Sequence, residues 1–192
     1  MLLGMREGGM PMMQTIVVKN SIRRKFQDFW DRGRVLFLSA PCGFGKTTLA
    51  QTLLDGKRVL ALTPDQPDFS LPPQSQDWEV LLLDDAQLMQ EEEQWQALCT
   101  LIRTSPQRRF VVLSRGAPPG CLMAFRYAGL MTVLEPDDLL FGREDIRQLF
   151  QQEGVAVTDS EVSGILKESI GYPLGVAVTA RNMAGGTPFG PD

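Results

Sequence analysis

The chain has 192 residues, 43% of them hydrophobic and 22% charged, and its formal net charge is −4. This length suits one α/β domain with a small appendage, and the negative charge argues against binding to nucleic acid or to an anionic membrane. The sequence has no histidine and three scattered cysteines without a Cys-x-x-Cys pair, which argues against zinc sites and Ser–His or Cys–His catalysis.

The first 14 residues predict a flexible lead rather than a targeting segment. They carry Glu7 and several glycines, and they lack the continuous hydrophobic run of a signal peptide. No later run reaches the length of a membrane span, and the unpaired cysteines suit a reducing compartment. We therefore expect a cytoplasmic protein that makes no membrane contact.

A helix is predicted before the first core strand. Asn20 or Ser21 is expected to cap it, and Gly33 is expected to end it. Its apolar side chains recur at helical spacing along one face: Ile22, Phe26, Phe29 and Trp30.

The segment that follows carries the strongest chemical signal in the sequence. An apolar run at residues 35–38 leads into Gly-Phe-Gly-Lys-Thr-Thr, and a helix-like segment follows from residue 49. Strand, glycine-containing loop, Gly-Lys-Thr and helix in this order make the phosphate-binding P-loop, where backbone N–H groups and a helix N-terminus surround the phosphates. The expected nucleotide contacts are Ala40, Pro41, Cys42, Gly43, Phe44, Gly45, Lys46, Thr47 and Thr48.

Individual roles follow from the chemistry of this loop. Lys46 is expected to reach the β- and γ-phosphates as a flexible charge, and Thr47 to offer a hydroxyl to Mg²⁺. Gly43 and Gly45 allow backbone conformations that a side chain would block. Ala40 stands where the pattern asks for glycine, which is tolerable because later N–H groups do most of the cradling. The alternative is an ordinary strand–turn–helix, and the flanking strand and helix disfavour it.

The second predicted strand, residues 58–62, is followed by a proline-rich stretch. Prolines at positions 64, 67, 72 and 73 exclude an uninterrupted helix there. Neighbouring parallel strands usually need a crossover helix. We therefore expect one face of the sheet to be thinly covered near the second strand.

The next predicted strand, residues 78–85, ends in Asp84 and Asp85. Its unbroken apolar run suits a strand covered on both faces, which places the two acids at the carboxyl end of the sheet beside the P-loop. Asp84 is expected to hold Mg²⁺ and Asp85 to act as general base for an attacking water. The alternative, a solvated Asp-Asp turn, is weaker downstream of a P-loop.

Later segments add an arginine and a change of composition. A buried strand predicted for residues 109–115 ends in Arg115, which could contact the γ-phosphate or, alternatively, pair with a surface acid. The last strand is predicted at residues 131–134. Short amphipathic helices follow from residue 135, one of them behind a capping box at residues 158–161.

These segments together resemble the ATPase module of the large LuxR-type, MalT-like transcriptional regulators, within the STAND class of signal-transduction P-loop ATPases. The matching pieces are Ala-Pro-Cys-Gly-Phe-Gly-Lys-Thr-Thr, Leu-Leu-Leu-Asp-Asp-Ala-Gln, Val-Val-Leu-Ser-Arg and Gly-Tyr-Pro-Leu-Gly. The resemblance implies that Asp84 and Asp85 are the Mg²⁺-side and hydrolytic carboxylates, that Arg115 senses the phosphate, and that Pro173 packs against adenine. It also implies an α/β P-loop NTPase fold with a parallel five-stranded sheet in the order 5-1-4-3-2, followed by a helical lid subdomain.

We therefore expect a flexible lead (1–14), a nucleotide-binding α/β domain (15–134), a helical lid (135–184) and a flexible tail (185–192). The resemblance implies an ATP/ADP switch with slow Mg²⁺-dependent hydrolysis and ATP-dependent self-association. The short crossover after the second strand departs from the family and puts the hydrolysis rate in question. The family's sensor and DNA-binding domains have no counterpart in this sequence, so we expect no specific DNA binding by this chain alone.

Two other functions remain open from the sequence. A small-molecule P-loop kinase needs an arginine-bearing lid over the phosphates, and residues 118–127 offer only Arg126. A non-hydrolysing, nucleotide-dependent interaction module would keep the P-loop without the catalysis. The guanine-reading Asn-Lys-x-Asp pattern of GTPases does not occur, which favours ATP.

Overall fold

The computed structural model describes residues 16–65 and 69–190, so the predicted lead at residues 1–14 lies outside the described residues. Its five strands form one parallel sheet with the order β2-β3-β4-β1-β5. The strands are β1 (Val35–Ser39), β2 (Val59–Leu62), β3 (Val80–Leu83), β4 (Arg109–Ser114) and β5 (Met131–Leu134). This is the predicted order, counted from the opposite edge, and the predicted fold class is confirmed.

Eight α-helices lie in the described part of the chain: α1 (Asn20–Arg32), α2 (Lys46–Leu53), α3 (Glu92–Thr104), α4 (Met123–Tyr127), α5 (Pro136–Leu139), α6 (Arg143–Gln152), α7 (Asp159–Ser169) and α8 (Pro173–Ala184). Short 3-10 turns, Ala86–Leu88 and Gly120–Leu122, follow β3 and precede α4. None of these helices has the length and apolar character that a membrane span requires.

The start of α1 corrects one prediction. Lys19 is the N-cap, rather than Asn20 or Ser21, and no side chain caps the helix. The Lys19 ammonium donates to the backbone carbonyls of Asp138 and Leu140, at 2.9 and 2.8 Å. Tertiary contacts therefore fix the entry to this helix, in place of the side-chain cap that local sequence favoured. Gly33 ends the helix as predicted.

The two faces of the sheet carry separate hydrophobic clusters because alternate strand residues point to opposite sides. Phe37, Leu81 and Phe110 pack with α3 on one face. Leu38 and Leu82 pack with α1 and α2 on the other. Both faces of the central strands are buried, as the unbroken apolar runs predict.

β2 lies at one edge of the sheet and is the least covered strand. Its residues alternate between exposed and half-buried, and Val59 is 37% exposed. No helix connects β2 to β3 within the described residues; Phe69 and Leu71 of the connecting loop pack against the sheet instead. The predicted thin cover near the second strand is confirmed.

The helical segment, residues 135–184, has a hydrophobic cluster of its own. Its buried side chains from α6, α7 and α8 include Ile146, Phe150, Val162 and Val176. Val17, which precedes α1, is buried in the same cluster. The next residue, Val18, is buried in the cluster beneath α1 and α2. Residues 17–18 therefore connect the helical segment to the sheet.

One residue of the predicted tail packs against the rest of the protein. Phe189 contacts the hydrophobic cluster of the helical segment. Its ring lies where a side chain at Gly164 would be, with 2.7 Å between the ring and an ideal Cβ at that position. A glycine on α7 thus makes room for one aromatic side chain from residues 185–190, and the flexibility of this tail stays a prediction.

Candidate functional site

The loop between β1 and α2 has the backbone that its glycines predict. Gly43 has φ 80° and Gly45 has φ 71°, both in the left-handed region that glycine enters at little cost. Gly45 is the N-cap of α2, and its carbonyl accepts from the backbone N–H of Leu49 at 2.8 Å. The chain therefore turns directly from the loop into the helix that starts at Lys46.

The turn leaves a row of backbone donors unpaired. The N–H groups of residues 43–47 find no acceptor among the described residues. The first N–H groups of a helix have no partner within the helix, and together with the preceding loop they form a concave anion site that the helix dipole reinforces. The loop thus has the donor set that a phosphate group requires.

The side chain of Lys46 folds back onto the start of this loop. Its ammonium donates to the carbonyl oxygens of Ala40 at 2.6 Å and Pro41 at 3.0 Å. Burial lowers the pKa of Lys46 from its ordinary value, which outweighs the opposing attraction of the Asp85 carboxylate. A lysine held by two neutral carbonyls can exchange them for phosphate oxygens without breaking an ion pair.

The departure from the P-loop pattern at Ala40 has a structural explanation. Ala40 is fully buried and its methyl group packs in the cluster beneath α1 and α2. Its N–H donates to the carbonyl of Ser114 at 3.1 Å. The side chain therefore faces the core and leaves the path of the loop unchanged, whereas Pro41 and Cys42 are exposed.

Thr47 and Asp84 are brought into direct contact. The Thr47 hydroxyl donates to Asp84 Oδ2 at 2.8 Å, and the other carboxylate oxygen of Asp84 accepts from the backbone N–H of Asp85 at 2.9 Å. Both residues are predicted magnesium ligands. In the described residues no group of three or more His, Cys, Asp or Glu side chains is placed to hold a metal ion.

Asp85 adopts an unusual backbone conformation at the end of β3. Its φ is 51°, in the left-handed region that non-glycine residues enter at a cost. Oδ1 of Asp85 accepts from Gln87 Nε2 at 2.7 Å and faces Arg115 Nη2 at 3.5 Å. Arg115 thus pairs with an acid of the candidate site, and this long, largely exposed ion pair contributes little to stability.

Gln87 is a site residue that the sequence reasoning did not single out. Its Nε2 donates to Asp85, and its Oε1 accepts from the backbone N–H of Arg115 at 3.1 Å. One amide therefore links the ends of β3 and β4. Gln87 belongs to the Leu-Leu-Leu-Asp-Asp-Ala-Gln segment, but only its long-range contact with Arg115 indicates a role.

The helical segment closes a cavity beside the loop. Pro173, at the start of α8, is buried and faces a space of about 200 Å³. The other residues that line this cavity include Phe44 from the loop, Leu49 from α2, and Ile16 and Val17 before α1. The walls are largely apolar, which is typical of small-molecule sites. The family resemblance implied a nucleotide contact for Pro173, and no such role was predicted for Ile16 or Val17.

The two loop glycines allow a matched test of the loop geometry. Gly43→Ala and Gly45→Ala both place a Cβ in the left-handed region, which costs about 1–2 kcal/mol. A Cβ at Gly45 has no neighbour within 4 Å, whereas one at Gly43 would lie 1.8 Å from the Tyr172 hydroxyl. In urea unfolding we expect Gly43→Ala to lose about 1 kcal/mol more stability, because Tyr172 must also give up a hydrogen bond. Equal losses in the two variants would contradict this packing.

No family model matches the sequence, and no curated protein matches it. Solved structures do match. A Walker-type ATPase of Pyrococcus abyssi has a TM-score of 0.61 at 11% identity, over 89% of this chain and 69% of that chain. A RuvB variant of Thermotoga maritima gives 0.55 at 16% identity, over 88% and 62%. A STAND protein with a tetratricopeptide repeat sensor from Pyrococcus horikoshii gives 0.55 at 12% identity, over 85% and 29%.

These similarities concern the fold. The sheet, its strand order and the flanking helices are those of P-loop ATPases, including a STAND protein. Most of this chain aligns in each case, but it spans only 62% of the RuvB chain and 29% of the STAND chain. At these identities the matches carry no information on substrates or partners.

Proposed function

We propose that this chain is an ATP/ADP-binding switch module with slow Mg²⁺-dependent ATP hydrolysis. The observation that carries the proposal is the phosphate loop: residues 43–47 present unpaired N–H groups at the start of α2, and the Lys46 ammonium is bonded to the carbonyl oxygens of Ala40 and Pro41 in the same loop. The P-loop ATPase fold of the similar structures supports the same assignment.

Thr47 and Asp84 would hold the metal ion. Their oxygen atoms already lie 2.8 Å apart, and hydroxyl and carboxylate oxygens are the ligands that Mg²⁺ prefers. The ion would supply positive charge against the phosphate oxygens.

Asp85 and Arg115 would act on the γ-phosphate side. Asp85 is oriented by Gln87 and is proposed to accept the proton of the attacking water. Arg115 is exposed and weakly paired, so its guanidinium can leave Asp85 for a phosphate oxygen, where a charge-assisted pair is stronger. Loss of the γ-phosphate would return Arg115 to Asp85, which makes the pair a sensor of nucleotide state.

The apolar cavity beside the loop is proposed to take the adenine base. Pro173 and Leu174 would cover one side of the base, and Ile16 and Val17 would line the other. A base held there contacts the helical segment, and the phosphates contact the sheet. Nucleotide binding would therefore span both parts of the chain, consistent with a nucleotide-binding α/β domain at 15–134 and a lid at 135–184.

The assignment to one family of regulators rests on the sequence resemblance. We propose that the module belongs with the MalT-like, LuxR-type STAND regulators, that it acts in the cytoplasm, and that ATP favours an open, self-associating state. Sedimentation with ATP and with ADP tests the last point. An equal sedimentation coefficient in both nucleotides at saturating concentration would contradict it.

Calorimetric titration tests the nucleotide site. ADP should bind at least about tenfold more tightly than AMP, a difference of about 1.4 kcal/mol, because the loop contacts a phosphate that AMP lacks. ADP should also bind more tightly than GDP, since no guanine-reading pattern is present. Equal affinities for ADP and AMP would contradict a phosphate loop.

Turnover assays separate the alternative functions. Slow release of inorganic phosphate from Mg²⁺–ATP supports the switch ATPase. ATP binding without phosphate release would identify a non-hydrolysing interaction module. Transfer of phosphate to a small hydroxyl-bearing acceptor, without release to water, would identify a kinase.

A further inference from the structure

Tyr172 joins the helical segment to the phosphate loop. Its hydroxyl donates to the carbonyl oxygen of Cys42 at 2.9 Å. Its ring meets the ring of Phe44 edge to face, with centroids 5.3 Å apart and an interplanar angle of 67°. One side chain at the start of α8 thus contacts the loop on both sides of Gly43.

The space above Gly43 is filled by Tyr172. A Cβ at position 43 would lie 1.8 Å from the Tyr172 hydroxyl oxygen and 3.2 Å from a Leu174 methyl carbon. Gly43 is therefore required for close approach by the helical segment as well as for its own left-handed backbone. The loop cannot change its path at Cys42 or Gly43 without moving Tyr172 or breaking its hydrogen bond.

The turn that precedes Tyr172 also fixes its position. The turn before it has two consecutive left-handed residues, Ile170 with φ 53° and Gly171 with φ 74°. The Gly171 carbonyl accepts from the backbone N–H of Phe141 at 2.8 Å, and a Cβ on Gly171 would lie 2.4 Å from the Phe141 carbonyl oxygen. A β-branched residue in this conformation is strained. Tertiary packing, rather than local preference, therefore fixes where Tyr172 points.

We propose that Tyr172 is a positioning residue that transmits phosphate binding in the loop to the helical segment. The inference rests on the proposed nucleotide function. A phosphate bound by the N–H groups of residues 43–47 fixes the peptide units on which Tyr172 rests. The hydrogen bond to Cys42 then favours one position of α8. Because such coupling is reciprocal, the position of α8 in turn changes the affinity of the loop for phosphate.

Inorganic pyrophosphate is the probe for this coupling, because it can occupy the loop and has no base to touch Pro173. Hydrogen exchange is measured by mass spectrometry on the full chain with and without pyrophosphate. In the parent protein, pyrophosphate should slow exchange in the loop and also in α8. In Tyr172→Phe it should slow exchange in the loop alone, because the ring remains and the hydroxyl is lost.

The chain provides a matched control in its one other tyrosine. Tyr127 on α4 is 84% exposed, so Tyr127→Phe removes the same atom and should leave both effects of pyrophosphate unchanged. The proposal would be overturned if pyrophosphate still slowed exchange of α8 in Tyr172→Phe. It would also be overturned if pyrophosphate protected the loop but not α8 in the parent protein.

A second arm needs no ligand and keeps the two hypotheses apart. In the unliganded protein, loss of the hydroxyl should speed exchange of the hydrogen-bonded amides of α8 about fivefold to tenfold, the effect expected when one hydrogen bond that holds the helix in place is removed. Unchanged rates there would overturn the inference about Tyr172. Absence of any pyrophosphate effect in the parent would instead contradict the proposed phosphate loop.

Discussion

Replacing Lys46 with alanine should weaken the binding of both ADP and ATP at least about 100-fold while the protein stays folded. Among the described residues, the Lys46 ammonium bonds to two carbonyl oxygens, those of Ala40 and Pro41, in the loop that presents the N–H groups of residues 43–47. Its side chain belongs to none of the three buried hydrophobic clusters. The loss should therefore fall on phosphate binding and leave the core intact.

Calorimetric titration and urea unfolding measure the two halves of this prediction. Lys167→Ala, an exposed lysine on α7, controls for the change in net charge and should bind as the parent does. A folded Lys46→Ala protein with parental affinity would contradict the P-loop assignment. A protein with a shifted unfolding midpoint would contradict the claim that Lys46 has no part in packing.

The pH dependence of binding adds a second signature of Lys46. Burial lowers the pKa of its ammonium from the ordinary value, and only the protonated form attracts phosphate. The affinity of the parent protein for ADP and ATP should therefore fall as the pH rises through this lowered pKa. The fall should begin at a lower pH than it would for a lysine with an ordinary pKa. Lys46→Ala should lack this decline, since it has no group that titrates there.

The P-loop could be predicted from sequence because all its parts are neighbours in the chain. Strand, loop and helix follow one another, so the left-handed glycines and the start of α2 follow from local rules. The ends of β3 and β4 were predictable for a related reason. Carboxyl ends of parallel strands meet at one edge of a sheet, which places Asp84, Asp85 and Arg115 together. The strand order itself came from the family resemblance and not from periodicity.

Contacts between distant segments could not be predicted in this way. Tyr172 and Cys42 are 130 residues apart, and Gln87 and Arg115 are 28 apart. Periodicity describes which face of an element is buried, but it does not say which element lies against it. The same reason explains why Ile16 and Val17 were not assigned to the cavity, and why Phe189 was not assigned to the cluster that it joins.

Asp85→Asn should keep ATP binding near the parental affinity and slow hydrolysis by about 100-fold or more, the usual contribution of a general base. The asparagine side chain has the shape of the carboxylate, and its oxygen can still accept the hydrogen bond from Gln87 that orients Asp85. What it loses is the ability to accept a proton from water. Single-turnover release of phosphate from Mg²⁺–ATP measures the chemical step without product release.

Asp84→Asn provides the contrast that separates the two carboxylates. Asp84 contacts the Thr47 hydroxyl, so its loss should raise the Mg²⁺ concentration needed for half-maximal hydrolysis, whereas Asp85→Asn should leave that concentration unchanged. Asp77→Asn, at an exposed ion pair with Arg58, controls for the loss of one negative charge. If Asp84→Asn and Asp85→Asn both hydrolyse ATP at the parental rate and with parental Mg²⁺ dependence, the two acids at the end of β3 form an ordinary solvated turn.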